Sequence, residues 1–379
     1  GLGRLGNVMR EKLKTAKRWV VKVGSSLVTN SGLGLDKGAI AHWAEQLVNL
    51  QQQGIKFVLV SSGAVAEGVS RLNLKARPKE IHLQQAAAAV GQMGLIQAYA
   101  SCFMRQNVHT AQILLSHEDL SDRTRYLNAR STLSTLLEMG VIPVVNENDT
   151  VATAELCFGD NDTLAALVAN LINAEVMIVL TDQEGLYSAD PRFHSSAEFI
   201  ESASANDAKL MEYAGKGTSL GRGGMFTKIS AAKLAARSGT STVITKGTDS
   251  DVLLRVANGE NLGTLLEADS EPMAARKQWL AGQLTLKGSL VLDDGAVKVL
   301  TKSGKSLLAV GIKQVEGKFS RGDVVACLDE SGSEIARGLA NYDMGEVQTL
   351  MGQSSEKISE LLGYAGEEEI IHRDNMILS

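Results

Sequence analysis

The sequence predicts an α/β protein, a mainly parallel sheet sandwiched by helices, followed by a small β-rich domain. Three observations carry this reading. Apolar runs of strand length alternate with helical patterns over the first two-thirds of the chain, as expected for parallel strands covered on both faces. Each run ends in a turn of Gly, Ser, Asn or Asp. Beyond residue 275 the pattern changes to short strands between glycine turns, the texture of a small β module.

Taken in order, Trp19-Val20-Val21-Lys22-Val23 reads as a buried strand and Gly24-Ser25-Ser26 as its exit turn. Asp36 caps a helix carrying Ile40, Trp43, Leu47 and Leu50, which Gly54 stops. Ile55 to Val60 is a second strand running into Ser61-Ser62-Gly63-Ala64. A helical stretch from Lys79 to Met104, a strand from Val108 to Leu114, a helix from Thr124 to Gly140 and a strand from Val141 to Val145 repeat the unit. Leu164, Leu167, Val168 and Leu171 mark another helix, and Val176 to Leu180 another strand. Gly215 to Gly224, with five glycines in ten residues, reads as a loop, so that Lys228 begins the helix ended by Gly239. Thr242 to Thr245 reads as the last strand of this part. The later strands are expected at Ser289 to Leu292, Ala296 to Leu300, Val310 to Val315, Val324 to Leu328 and Glu334 to Gly338, with helical pieces at Met344 to Met351 and Lys357 to Leu362. The boundaries drawn are an N-terminal extension 1–16, a first domain 17–267, a linker 268–275 around Pro272, and a second domain 276–379.

Composition narrows the function. At 379 residues and 44% hydrophobic content the chain can build separate cores, and no window approaches the length of a membrane span. A formal net charge of -5 argues against a broad grip on nucleic acid. Cys102, Cys157 and Cys327 are three in number, far apart and without metal-ligand spacing, which reads as reduced thiols in a cytoplasmic protein. Cys157 reads as a small buried residue rather than a nucleophile, since no histidine lies near it.

Chemistry concentrates where strands end. Asn146-Glu147-Asn148-Asp149 follows a strand and Gly159-Asp160-Asn161-Asp162 precedes a helix, the position at which α/β proteins bind ligands. Either knot alone is compatible with a capped turn. Together they supply carboxylates and carboxamides able to hold an ammonium group, an amino-acid backbone, or lysines that face a phosphate. Lys22 precedes Gly24 at the end of the first strand, and Lys228 follows Gly224. Two cations from distant parts of the chain suit a transferring phosphoryl group, whose catalysis is mostly positioning and neutralisation. No Walker A sequence, no kinase-type glycine loop after the first strand and no H-x-D catalytic loop occur.

Val21-Lys22-Val23-Gly24-Ser25-Ser26, Ser61-Ser62-Gly63-Ala64, the two Asn/Asp knots, Leu180-Thr181-Asp182, Gly185-Leu186-Tyr187, Asp190-Pro191 and Gly223-Gly224-Met225 with Lys228 resemble the motifs, in the same order, of the glutamate 5-kinase family within the amino acid kinase superfamily. Gly311-Ile312, Gly317, Phe319-Ser320-Arg321-Gly322-Asp323 and His372-Arg373-Asp374 resemble the PUA domain found after that kinase. The resemblance spans nearly the whole chain and implies an amino acid kinase fold at 17–267 with a PUA domain at 276–379.

It further implies ATP-dependent phosphorylation of the γ-carboxylate of L-glutamate, the first step of proline biosynthesis, by direct transfer. In that reading Lys22 and Lys228 stabilise the transferring group and Asp162 holds them. Ser62, Gly63, Ala64, Asn146, Asp149 and Asn161 take the substrate. Lys22, Gly24, Ser25, Thr181, Asp182, Arg222, Gly223, Gly224, Met225, Phe226, Thr227 and Lys228 take the nucleotide, with Mg²⁺ on its phosphates and no direct protein ligand. Arg222 departs from the family pattern, which often has threonine before Gly-Gly-Met. A γ-carboxylate is already anionic and needs no general base, in keeping with six histidines scattered away from the kinase motifs. Proline is implied as a feedback inhibitor competing near Asp149 and Asn161, and a homodimer or homotetramer as the assembly.

Two other readings stand beside this one. A PUA domain suggests RNA binding, but residues 276–379 hold 12 Lys or Arg against 15 Asp or Glu with few aromatics, so RNA binding is not expected. Another acyl-phosphate-forming kinase of the same superfamily differs only in substrate.

Overall fold

The structure, a computed structural model, describes residues 9–30, 34–150, 161–215 and 219–379, and their side chains except at 219–223. Glu118–Ala129 clusters with Met273–Ser379 in one compact unit, and the chain up to His117 with Arg130–Pro272 in the other.

The first unit is built on an eight-stranded sheet. Its strands are β1 (Arg18–Val23), β2 (Lys56–Ser61), β3 (Thr110–Leu115), β4 (Ile142–Glu147), β5 (Val176–Thr181), β8 (Ser202–Ser204), β9 (Ser241–Lys246) and β10 (Thr264–Glu267). A separate two-stranded ribbon pairs β6 (Leu186–Tyr187) with β7 (Phe199–Ile200). The order β3-β4-β2-β1-β5-β9-β10-β8 is parallel except where β10 runs antiparallel to β9. In β1, β2, β5 and β9 nearly every residue is buried, the physical reason these segments read as unbroken apolar runs. Strand β1 has β2 on one side and β5 on the other, so the order reverses at β1 and opens a crevice at the carboxyl ends.

Helices follow the strands: α1 at residues 9–13, α2 (Ser25–Val28), α3 (Lys37–Gln52), α4 (Ala64–Arg71), α5 (Ile81–Met104), α6 (His117–Ser121), α7 (Arg123–Glu138), α8 (Asn161–Ile172), α9 (Lys209–Gly215), α10 (Ser219–Arg237) and α11 (Val252–Ala257). Asp36 caps α3 as expected, accepting from Ala39 N at 3.0 Å. Helix α5 is apolar nearly all round and lies on α4 at backbone distance. A Cβ on Gly91 would stand 1.7 Å from Ala64 O, and one on Gly68 the same 1.7 Å from Ala87 O. Arg10, 3% exposed, ties the N-terminal segment down by donating to Leu262 O at 2.8 Å, Glu201 O at 2.9 Å and Gly263 O at 3.1 Å.

Three local expectations need correction. The glycines before Lys228 do not keep the segment in a loop: α10 already runs from Ser219, so Lys228 sits inside the helix instead of at its start. Thr242 to Thr245 is not the last strand, because β10 adds to it in antiparallel fashion through Leu265 and Leu266. Ala296 to Leu300 is helical, not extended. Its A-V-K-V-L alternation imitates a strand, but Asp293 accepts from Ala296 N at 2.7 Å and caps the helix.

The second unit carries a five-stranded sheet, β12-β11-β13-β14-β15, from β11 (Gly288–Leu292), β12 (Ile312–Gly317), β13 (Val324–Leu328), β14 (Glu334–Leu339) and β15 (Met376–Leu378). Its helices are α12 (Pro272–Ala281), which opens at the last residue of the first unit and so takes up the end of the expected linker, then α13 (Asp294–Ser303), α14 (Met344–Leu350) and α15 (Ile358–Leu362). Leu290, Leu292, Val325, Cys327 and Tyr342 fill its core. Arg321 organises this unit, donating to Asn341 O at 2.8 Å, Glu367 Oε2 at 3.0 Å and Asn128 Oδ1 at 2.7 Å.

Candidate active site

Strand register brings the motifs to one edge. Lys22 pairs with Val60 and Val179, Val23 with Ser61, and Thr181 with Lys246, so the turns after β1, β2, β5 and β9 leave the sheet together. Lys22 is 7% exposed between the fully buried Val21 and Val23, a desolvated position that favours a cation only with a partner. That partner is Asp162, 2% exposed in the first turn of α8. Lys22 Nζ lies 2.9 Å from Asp162 Oδ1, and Lys228 Nζ lies 3.5 Å from Asp162 Oδ2. The Lys22 contact is an ion pair rather than an aligned hydrogen bond, since among the described residues Oδ1 has no donor in line. Thr227 Oγ1 lies 3.1 Å from both Asp162 Oδ2 and Gly224 O; its one proton goes to the charged oxygen, the stronger acceptor. Burial opposes ionisation of Asp162, but the charges of Lys22 and Lys228 and the hydrogen bond from Thr227 outweigh it and hold its carboxyl below the usual aspartate value.

Beside this clamp lies a chain of amides. Asn161 Nδ2 is 3.1 Å from Ser61 O, 3.2 Å from Ser62 Oγ and 3.3 Å from Asn146 Oδ1. Asn146 in turn donates to Gln92 Oε1 on α5 at 2.9 Å. Ser61 Oγ meets the buried Tyr99 hydroxyl at 2.8 Å. Gly63 has φ of 110°, a left-handed turn that glycine adopts without strain, and it aims the first amides of α4 at the same edge. A Cβ there would also press on Val28 Cγ1 at 2.8 Å. Asp149 stands in the turn after β4; burial pushes its carboxyl up, and no cation faces it among the described residues. An ammonium ion would relieve that cost.

On the other flank a cleft of about 250 Å³ is lined by Thr181, Asp182, Gly224, Met225 and Lys228 of the expected nucleotide set. Tyr187, Arg192, Tyr213 and Ile244 line it too and were not singled out. Tyr187 sits in a quoted motif, so a signal existed; Tyr213 and Ile244 carry none, because one helix and one strand of ordinary pattern deliver them. Gly24 and Ser25 stand beside Lys22, where a Cβ on Gly24 would be 3.6 Å from Nζ, and Phe226 is 40% exposed. Gly223 is in the backbone of α10. Cys157, Gly159, Asp160 and the Arg222 side chain lie outside the described residues.

The model of the amino acid kinase family matches residues 17–246 and that of the PUA domain residues 288–362. A glutamate 5-kinase from Nitrosospira multiformis is 59% identical over 98% of this chain and 100% of its own length. The chain belongs to the glutamate 5-kinase family of amino acid kinases. A second relative in that family, the glutamate 5-kinase of Nitrosococcus oceani, is 58% identical over 97% of this chain and 99% of its own. A UMP kinase from Bacillus anthracis superposes with a TM-score of 0.47 at 15% identity over 67% of this chain and 97% of that one. The Asn146, Asn161 and Asp162 contacts and the Lys22–Asp162–Lys228 clamp all fall inside the segment matched by the amino acid kinase model.

Proposed function

We infer that this amino acid kinase transfers the γ-phosphoryl group of ATP to the γ-carboxylate of L-glutamate, giving γ-glutamyl phosphate, the first step of proline biosynthesis. The observation that carries the residue roles is continuity: Lys228 lines the nucleotide cleft and faces Asp162, and the adjoining Asn161 reaches Ser62 and Asn146. Nucleotide and acceptor thus meet across one carboxylate.

In this mechanism Asp149 pairs with the substrate ammonium, and the amides of Ser62, Gly63 and Ala64 take carboxylate oxygens. The γ-carboxylate is ionised at neutral pH, so no residue removes a proton. One of its oxygens bonds to the γ-phosphorus as the bond to the bridging oxygen of ADP breaks. Charge spreads onto the equatorial oxygens, where Lys22 and Lys228 neutralise it, and Asp162 keeps the two ammonium groups from repelling each other. Tyr187 and Tyr213 enclose the nucleotide. Mg²⁺ would come with the nucleotide phosphates and would help neutralise their charge, with Asp182, exposed on the cleft wall, as the carboxylate beside them.

The test is ATP consumption with glutamate, aspartate and N-acetylglutamate, run on wild type and Lys228→Ala. Turnover confined to either of the last two substrates would overturn the substrate assignment. Proline is proposed to compete at Asp149 and Asn161; a rate indifferent to proline while glutamate saturates normally would remove that part. The assembly is proposed to be a homodimer or homotetramer, checked by light scattering. The location is proposed to be cytoplasmic, in keeping with free thiols at Cys102 and Cys327. Among the described residues no helix is long and apolar enough to cross a membrane.

A further inference from the structure

The amide chain has a fixed polarity, and among the described residues it ends on an atom with no bonding partner. The Glu147 backbone N–H reaches Asn146 Oδ1 at 2.8 Å; a backbone N–H only donates, so that atom of Asn146 is the oxygen. Its other amide atom is therefore the nitrogen, and what it meets at 2.9 Å is Gln92 Oε1. Ser61 O, a carbonyl that only accepts, fixes Asn161 in the same sense. The polarity leaves Gln92 Nε2 as the free end. Gln92 is 8% exposed, and Nε2 has no acceptor among the described residues. Burying an unpaired amide donor carries a free-energy cost, and a well-packed helix retains one where something supplies the acceptor.

We propose that Gln92 is a further substrate-binding and specificity-determining residue of this site, donating from Nε2 to an oxygen of the amino acid's α-carboxylate. The proposal rests on glutamate as the substrate. The α-carboxylate is favoured over the γ for a positional reason. The reacting end belongs at Lys22 on β1, whereas Asn146, which holds Gln92, ends β4, two strands away in the order β4-β2-β1, roughly 10 Å across the sheet. The two methylenes between the carboxylates of glutamate carry the α end towards β4. Gly91, next to Gln92, keeps α5 pressed on Ala64 of α4, the residue that follows the Ser62–Gly63 turn. Gln92 thus reads the part of the substrate that does not react, and its loss belongs in KM and in discrimination more than in kcat.

The test compares glutamate with its α-amide, which keeps the reacting γ-carboxylate, on wild type, Gln92→Met and Gln92→Glu, with ATP saturating. Gln92→Met has the same length and no donor. Gln92→Glu keeps an acceptor for Asn146, replaces the N–H group by oxygen and adds a negative charge that repels a carboxylate. The expected result is a rise of about 10- to 100-fold in KM for glutamate in Gln92→Met, the loss of one hydrogen bond to a charged group, and a rise at least as large in Gln92→Glu. KM for ATP should hardly move. The preference for glutamate over its α-amide, as a ratio of kcat/KM values, should shrink by about tenfold or more. If either variant melts far below wild type, the other decides, because the preference is a ratio within one protein. An unchanged preference, or a loss in kcat alone, would overturn the role of Gln92. Wild-type enzyme inert on glutamate would instead overturn the substrate assignment itself.

Discussion

Thr227 Oγ1 and Lys228 Nζ approach the same oxygen of Asp162, at 3.1 Å and 3.5 Å. Consecutive residues of α10 thus steer one carboxylate, the hydroxyl by direction and the ammonium by charge. Replacing Thr227 with valine, which keeps the shape and removes the hydroxyl, is expected to lower kcat about tenfold. Serine should restore most of it. A loss in the serine variant with valine near wild type would show that Thr227 matters through its methyl group.

Lys22→Ala and Lys228→Ala are each expected to reduce kcat by about 10² to 10³, the cost of a lost transition-state donor. The double variant should lose much less than the product of the two, because each lysine works only while Asp162 holds the other. Full multiplicativity in steady-state rates would mean that the lysines act independently.

Asp162 and Asp149 respond to pH in opposite senses. Asp162 has its carboxyl depressed, so its contribution to stability is complete above the ordinary aspartate pKa, about 3.9, and is lost only as pH falls through the lower folded value. Asp149, raised by burial, favours the protonated folded state. It therefore costs stability as pH rises from the ordinary value through the raised one. Glutamate should bind the ionised form, so kcat/KM for glutamate is expected to fall on the acid side earlier than kcat does. In Asp149→Asn, measured at higher glutamate, the separation between the two limbs should disappear. Coincident limbs for both parameters in wild type would contradict the role of Asp149.

The close passage of α4 and α5 predicts a stability effect with no chemistry in it. Gly91→Ala puts a methyl 1.7 Å from Ala64 O, a clash with backbone that no rotamer relieves. Destabilisation of at least about 3 kcal/mol is expected, read from denaturant unfolding. A melting curve like that of wild type would show that the helices separate cheaply.

Much of this site was legible in the sequence because strand ends advertise themselves. Lys22, Ser62, Asn146 and Thr181 each terminate or follow an apolar run, and parallel register does the rest. Helix α10 was misjudged because its glycines are poor helix formers in isolation, yet the helix runs through Gly221, Gly223 and Gly224 from Ser219, a case of context overriding propensity. Gln92 was invisible for a different reason. It lies in an alanine-rich helix where nothing in the spacing separates it from Gln84, Gln85 or Gln97, and only the polarity of its neighbours marks it out. Strand β10 was missed because Thr264–Glu267 is four residues long, too short for alternation to show.

The anchoring of Arg10 has a practical side. Its guanidinium closes backbone carbonyls on two segments, Glu201 before β8 and Leu262–Gly263 before β10, far from Lys22 on β1 in the sheet order. A shortened chain starting at β1 would keep every residue proposed to bind glutamate or ATP, while exposing that corner and the outermost strands to fraying. Amino-terminal trimming is therefore a handle on heat resistance and protease sensitivity, largely decoupled from turnover.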